Sequence, residues 1–190
     1  MTNRTHDAIA FASLTSVAIL FPPASLNLLT FIFSIIAADI GSMIPDMDQA
    51  GNKLWDFLPA GNFMGRIFKG VFYKHRTLSH SILGTFLIYK FLQFVLEKLL
   101  NPDFINPQII LTALMIGYIS HLVADAFTRE GLPLLFPLKL TFGIPPIKKL
   151  RIRTGKFFEN FIVFPLTWIF TITVIYLNQD RLIEILNIIR

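Results

Sequence analysis

The chain consists of long apolar segments separated by short polar ones, and few charged side chains interrupt the apolar segments. Runs without any charged residue extend over residues 8–38, 104–124 and 160–179. A charge at the centre of a membrane helix costs about 2.5–3.5 kcal/mol, so such runs are typical of helices that cross a bilayer. Pro22 and Pro23 divide the first run, because proline cannot donate to the helix ladder and favours a tight hairpin there. The pattern therefore predicts a helical membrane protein.

Five spans follow from these runs and from one weaker apolar segment. The weaker segment is interrupted only by Lys90, whose long side chain can reach the bilayer surface or face the bundle. The sequence thus predicts an all-α, polytopic membrane bundle of about five helices, folded as a single integral membrane domain over residues 1–190. The predicted spans are residues 8–21, 25–44, 81–97, 107–126 and 160–179.

Composition supports this interpretation and excludes several other classes of protein. Hydrophobic residues make up 54% of the chain and charged residues 15%, against about 25% charged residues in a typical soluble domain. Disordered chains, coiled coils and collagen do not fit such a composition. The chain contains no cysteine, which excludes disulfides, thiolate metal sites and a cysteine nucleophile.

The distribution of lysine and arginine predicts which side of the membrane each loop faces. Five spans place the N-terminus and the loops at 45–80 and 127–157 on one side. Outside the spans, only Lys98, Arg181 and Arg190 fall on the opposite side. Because cytoplasmic loops carry the excess of positive charge, we expect the N-terminus to be cytoplasmic. The net charge of +5 indicates contact with the anionic bilayer surface or with phosphate, and nucleic acid is not expected. The sequence gives no sign of a protein partner.

Histidines and aspartates gather at the ends of the spans that face this same side. They are His75 and His80 before the third span, His121 and Asp125 at the end of the fourth, and Asp46 and Asp48 after the second. His121 and Asp125 are four residues apart, so their side chains lie on one face of a helix. Asp46 and Asp48 follow a proline in an extended segment, where residues two apart point the same way.

Such a set of nitrogen and oxygen ligands suits a hydrolytic metal site, with Zn²⁺ favoured over Mn²⁺. Arg76 and Arg129 lie beside the motifs and are predicted to stabilise negative charge that develops on a substrate. Glu159 begins the fifth span, where it could be a ligand, a general base or a helix-start carboxylate favoured by the helix dipole.

Two interpretations without hydrolytic chemistry stay open. One is a metal-binding transporter or sensor, and the other is a structural membrane protein with incidental polar side chains. A transporter carries its ligands near the middle of the membrane, on discontinuous helices. Here the motifs lie at one membrane face, which favours chemistry at the surface.

The order and spacing of these motifs resemble a bacterial family, the LexA-regulated, membrane-bound, metal-dependent hydrolase-like proteins. The motifs are Thr5-His6, G-S-M-I-P-D-M-D at 41–48, H-R-T-L-S-H-S at 75–81, H-L-V-A-D-A-F-T-R-E-G at 121–131, L-L-F-P at 134–137, and R-I-R-T-G followed by Glu159. Thr77, Ser79 and Gln49 depart from the family's pattern and leave the expected ligands intact.

The resemblance implies a multi-pass helical protein of the bacterial inner membrane with a divalent metal. The ligands that it implies are His6, Asp46, Asp48, His75, His80, His121 and Asp125. We therefore expect an enzyme, a metal-dependent hydrolase in which metal-activated water attacks an ester or phosphoester. Because the motifs lie at the membrane surface, the expected substrate is a lipid or lipid-linked molecule.

Overall fold

Every long apolar segment of the sequence forms a helix, and the all-α prediction is confirmed. The structure is a computed structural model that describes residues 1–47, 53–57, 77–138 and 140–189. Its α-helices within these ranges are α1 Asn3–Leu20, α2 Leu28–Met43, α3 Ile82–Leu99, α4 Pro107–Ala126, α5 Phe164–Leu177 and α6 Gln179–Ile188. Short 3-10 turns cover Ile44–Asp46, Lys53–Phe57, Leu78–His80 and Lys148–Leu150, and a π-helical turn, Glu159–Val163, leads into α5.

Capping side chains set where the helices begin. The side chain of Asn27 accepts a hydrogen bond from the backbone N–H of Thr30 at 2.7 Å, and that of Ser81 accepts one from Gly84 at 3.0 Å. Asparagine and serine suit these positions because their oxygens satisfy N–H groups that the first helical turn leaves unbonded. As a result α2 begins at Leu28, later than the predicted start at residue 25.

Among the residues that the structure describes, three helical segments are long and apolar enough to cross a bilayer. They are Leu28–Asp46, Pro107–Ala126 and Glu159–Leu177. Helices α1 and α3 have 18 residues each, but Arg4 and Asp7 lie in the first turns of α1, and α3 contains a glutamate and two lysines. The expectation of about five spans therefore holds approximately: a helix forms at each of the five predicted spans, and three of these segments have the length and composition of membrane spans.

Glycines allow α2 and α4 to pack unusually close together. A Cβ atom at Gly41 would lie 2.1 Å from the carbonyl oxygen of Leu114, and one at Gly117 would lie 2.0 Å from that of Ala38. Any side chain at either position would collide with the backbone of the other helix. Small residues serve this purpose in membrane helices, where association depends on close van der Waals packing.

One end of the bundle brings together the ends of several helices. Helix α1 packs against α2, α4 and α5, and α3 packs against α4. At this end α1 and α3 begin, while α2 and α4 finish. A buried core extends from here between the helices, with Tyr118 of α4 fully enclosed. The Tyr118 hydroxyl donates to the backbone carbonyl of Ser79 and so connects α4 to the turn before α3.

Candidate metal centre

Five side chains from four helical segments meet in one cluster, which we call the His/Asp cluster: His6, Asp46, His80, His121 and Asp125. Oxygen Oδ2 of Asp125 lies 3.7 Å from Nε2 of both His80 and His121. Oxygen Oδ1 of Asp46 lies 3.5 Å from Nε2 of His80 and 3.7 Å from that of His121. The rings of His6 and His121 stack with centroids 3.7 Å apart. Segments far apart in the sequence thus converge on one small volume.

The cluster is enclosed except on one side. The side chains of the three histidines and of Asp125 are at most 2% exposed, whereas that of Asp46 is 15% exposed. A small cavity of about 10 Å³, lined in part by His6, Asp46 and His121, lies at this position. A volume near one probe sphere suffices for one water molecule or ion. Asp46 is therefore the member of the cluster that faces the exterior.

Two overlapping groups of ligand atoms have the compactness of a metal site. In the first, His6, His121 and Asp125 each present an atom within 4.8 Å of the others. In the second, Asp46, His80 and His121 do the same. Because His121 belongs to both groups, the five side chains can surround one ion or two adjacent ions.

The backbone of α2 fixes the proton on His121. Its Nδ1 atom lies 2.6 Å from the carbonyl oxygen of Ser42, which can only accept a hydrogen bond. Nδ1 therefore carries the hydrogen, and Nε2 presents its lone pair to the cluster. Metal-binding histidines are held in this manner, with the distal nitrogen donating to a carbonyl or carboxylate. The contact depends on the close approach of α2 and α4.

His6 and His80 differ in their electrostatic surroundings. Burial lowers the pKa of His6 below its ordinary value, and the nearby carboxylate of Asp125 only partly opposes this effect. Burial also acts to lower the pKa of His80, but Asp125 and Asp46 outweigh it, so that the pKa is raised. His6 is thus held neutral, as a metal ligand must be. The two carboxylates thus favour a positive charge beside them, which a bound cation would supply.

Glu159 anchors the start of α1 beside the cluster. Its Oε1 atom accepts hydrogen bonds from the backbone N–H and the hydroxyl of Thr2, at 2.6 and 2.8 Å, and its Oε2 accepts one from the N–H of Gly155 at 2.7 Å. The α-amino group of Met1 lies 2.5 Å from Oδ1 of Asp125. These contacts fix the position of His6, one helical turn further along α1. The role of Glu159 as a general base or ligand stays a prediction.

Other residues of the predicted site lie elsewhere or outside the described ranges. Asp48, His75 and Arg76 belong to residues that the structure does not describe. Arg129 follows α4, and its Nη2 atom lies 3.4 Å from the carbonyl oxygen of Lys149. Its contribution to charge stabilisation therefore remains a prediction.

Several supporting residues were not predicted from the sequence. Ser42 acts through its backbone carbonyl, a group that every residue possesses, so no residue type could indicate it. Ser79 places its hydroxyl 3.1 Å from Nδ1 of His80, and its position next to a candidate ligand was the available signal. Tyr118 lies three residues before His121 on α4, and only the folded structure reveals its contact with Ser79.

Comparison with known proteins agrees with the membrane fold and gives the family. Residues 1–183 match the YdjM inner membrane protein family. The chain is 30% identical over 169 residues to the uncharacterized protein YvsG of Bacillus subtilis, covering 88% of this chain and 90% of that protein. It is also 30% identical over 114 residues to the inner membrane protein YdjM of Escherichia coli, covering 57% of this chain and 52% of that protein. No solved structure matches.

The family and the apolar helices together locate the chain in the inner membrane as a multi-pass protein, in contact with the lipid bilayer. Which end of the bundle faces the cytoplasm stays a prediction. The match extends over almost the whole chain and includes each segment that contributes to the His/Asp cluster. The chain therefore belongs to the YdjM inner membrane protein family.

Proposed function

We propose that the chain is a metal-dependent hydrolase, in which the His/Asp cluster holds a divalent cation at the membrane surface and cleaves an ester or phosphoester. One observation carries the proposal. Three buried nitrogen atoms have no hydrogen-bond partner within the described part of the chain: Nδ1 and Nε2 of His6, and Nε2 of His121. A buried polar group without a partner costs about 1–3 kcal/mol, and a bound cation would remove this cost at Nε2 of His121 and at one ring nitrogen of His6.

The spacing of the ligand atoms fits such an ion. Zinc bonds to nitrogen and oxygen of about 2.0–2.2 Å place neighbouring ligands of a tetrahedral ion roughly 3.3–3.6 Å apart. The nitrogen–oxygen distances in the cluster range from 3.4 Å, between His6 and Asp125, to 3.7 Å, between His121 and Asp125. Little movement of the side chains would be needed. The set has no thiolate, as expected for a hydrolytic site with zinc or manganese.

The enclosed and the exposed members of the cluster would have different roles in hydrolysis. A bound cation would lower the pKa of a coordinated water and polarise the group under attack. The buried histidines and Asp125 would keep bulk water away, and Asp46 would border the path by which a substrate arrives. Arg129 and Arg76 remain the candidates for stabilising negative charge, since Arg129 follows Asp125 and Arg76 precedes His80 by four residues each.

The position of the cluster favours surface chemistry over transport. Asp46 and Asp125 lie at or next to the final residues of two candidate spans, Leu28–Asp46 and Pro107–Ala126. A transport site would lie near the middle of such spans. A substrate that reaches the ends of membrane helices can be presented by the bilayer itself, which supports a lipid or lipid-linked ester as the substrate.

Metal content is the first measurement. Detergent-purified protein, reconstituted with Zn²⁺ or Mn²⁺ and desalted, should retain about one or two equivalents by mass spectrometry, and His121→Ala and Asp125→Asn should retain far less. Thr171→Val is the matched control, because Thr171 is equally buried but bonds only within α5. Absence of metal from the reconstituted wild type would refute the proposal.

Hydrolysis is tested separately on the metal-loaded protein. Chromogenic phosphodiester, phosphomonoester and carboxylester substrates, followed by phospholipids in mixed micelles, cover the expected reaction classes. Activity should disappear in His121→Ala and persist in Thr171→Val. A protein that binds metal but cleaves none of these compounds would support the alternative of a metal-binding transporter or sensor.

A further inference from the structure

The loop between α4 and the π-helical turn combines exposed cations with exposed apolar side chains. Its exposed cations in the described part are Lys148, Lys149, Arg153 and Lys156, and Arg129 and Arg151 are partly buried. Glu130 is the one acidic residue of the same described part. Large apolar side chains of the same loop, including Leu138 and Ile144, are more than half exposed. A soluble surface seldom carries so many large apolar side chains together.

The two properties are most concentrated in the segment Ile147-Lys148-Lys149-Leu150, which we call the IKKL turn. It forms a 3-10 turn, in which the backbone N–H of Leu150 donates to the carbonyl of Ile147 at 3.0 Å. Ile147 comes immediately before the turn and Leu150 ends it, so two large apolar side chains flank the two lysines. They are 61% and 68% exposed. Between them, Lys148 and Lys149 are exposed and form no side-chain hydrogen bond or ion pair with any residue that the structure describes.

Two arginines hold the IKKL turn in shape. Arg151 donates from Nε to the carbonyl of Pro145 at 2.7 Å and from Nη2 to that of Pro146 at 3.0 Å. Arg129 approaches the carbonyl of Lys149 at 3.4 Å. The guanidinium groups thus stabilise the backbone, while the lysines remain available for another ligand. A turn that is already ordered loses little conformational entropy when it binds.

The loop is attached directly to the membrane end of α4. The N–H of Ile144 donates to the carbonyl of Ala126 at 2.8 Å, and the N–H of Ile152 donates to that of Phe127 at 3.0 Å. Ala126 is the last residue of a candidate membrane span. The IKKL turn therefore lies on the side where α4 leaves the bilayer, which is also the side of the His/Asp cluster.

We propose that the IKKL turn binds anionic phospholipid, with Ile147 and Leu150 inserted below the headgroups and Lys148 and Lys149 on the phosphates. Apolar side chains flanked by lysine are the composition of segments that lie in the bilayer interface. The attraction of lysine to anionic lipid supplies selectivity for charge. This inference concerns the lipid partner and does not depend on the metal.

The absence of cysteine from the chain permits a direct test. Ile147→Cys carries an environment-sensitive fluorophore, and Thr154→Cys, at an exposed polar position of the same loop, is the matched control. Both proteins are placed in nanodiscs of phosphatidylcholine with or without phosphatidylglycerol. The probe at position 147 should show blue-shifted emission and quenching by brominated phosphatidylglycerol, and the probe at position 154 should not. Leu150→Cys repeats the measurement at a second position.

Neutralising the lysines tests the charge selectivity. In Lys148→Gln and Lys149→Gln, the preference of the 147 probe for brominated phosphatidylglycerol over brominated phosphatidylcholine should fall about fivefold for each lysine removed. The proposal would be overturned if the probes at positions 147 and 150 emitted at the same wavelength as the probe at position 154 in both bilayers. Equal quenching of the probe by the two brominated lipids, unchanged in the glutamine variants, would also overturn it.

Discussion

Replacing Glu159 by glutamine tests what holds the start of α1 against the His/Asp cluster. The carboxylate accepts hydrogen bonds from Thr2 on one oxygen and from Gly155 on the other. Glutamine retains one oxygen for Thr2, but its NH₂ group would face the N–H of Gly155. The bond from Gly155 to a charged oxygen is therefore lost, and two donors, the N–H of Gly155 and the NH₂ of glutamine, face each other instead.

The cost of Glu159→Gln follows from these contacts. A hydrogen bond to a charged group contributes about 1.5–3 kcal/mol, and the side chain at position 159 is buried, which shields the introduced NH₂ group from water. We expect a loss of about 3 kcal/mol in the free energy of unfolding. For a chain of this size each kcal/mol lowers Tm by about 2–4 °C, so Tm should fall by about 6–12 °C.

Thermal unfolding in detergent, followed by circular dichroism, measures this loss. Asn160→Ala is the control, because Asn160 is adjacent and its bonds to Arg4 and Gly155 are exposed, which limits its expected effect to about 0.5 kcal/mol. Metal retention should also fall in Glu159→Gln, since releasing Thr2 displaces His6. A variant with unchanged Tm and full metal content but no hydrolysis would refute the anchoring role and favour the general base.

Three further outcomes are expected. A chelator should lower the Tm of the metal-loaded protein by about 8–16 °C, because an ion at about 1,000 times its Kd stabilises the fold by about 4 kcal/mol. Gly117→Ala should cost about 3 kcal/mol or more in a denaturation series, because its Cβ would lie 2.0 Å from the carbonyl oxygen of Ala38. Tyr118→Phe should cost about 1–3 kcal/mol by removing the donor to Ser79, and metal titration should reveal affinity reduced about tenfold through the displaced His80.

A control substitution separates these effects from a nonspecific loss of stability on mutation. Thr112→Ala, on an exposed face of α4, removes only a bond to the carbonyl of Gln108 in the same helix and should leave stability within about 0.5 kcal/mol. A chelator that strips the ion without changing Tm would contradict the stabilising role of the metal. Wild-type stability in Gly117→Ala would mean that α2 and α4 can separate, and unchanged affinity in Tyr118→Phe would mean that His80 is held by other contacts.

The helices could be predicted because their determinants are local. Charge-free runs indicate the apolar segments, and Pro22 and Pro23 separate α1 from α2 in the structure as the sequence suggested. Helix α1 nevertheless begins at Asn3 rather than at residue 8. The charge-free run marks only the apolar part of the helix, and its polar first turns, which contact other segments, precede that run. The number of membrane spans was less predictable. Helices α1 and α3 contain charged residues, so hydropathy alone does not decide whether they cross the bilayer, and their position depends on packing against the other helices.

The His/Asp cluster was predictable in its residue types but not in its support. His121 and Asp125 lie four residues apart on a helix, as their spacing predicts, and the structure brings them together with Asp46. The extended segment expected after Pro45 is wrong, because Ile44–Asp46 forms a 3-10 turn at the end of α2. The contacts that orient them involve backbone groups, such as the carbonyl of Ser42, or pairs more than 150 residues apart, such as Thr2 and Glu159. Neither kind of contact leaves a pattern in a single sequence.

The crowding of α4 has a consequence for how this family can vary. Within about three turns, one helix supplies the contact with α2 at Gly117, the link to Ser79 at Tyr118, two cluster side chains, and the attachment of the loop that follows. A saturation library across the chain should therefore retain almost no substitutions in this stretch, while the exposed residues 101–103 accept many. Sequence variation within the family should then collect in the loops around α4, while this stretch of the helix stays nearly unchanged.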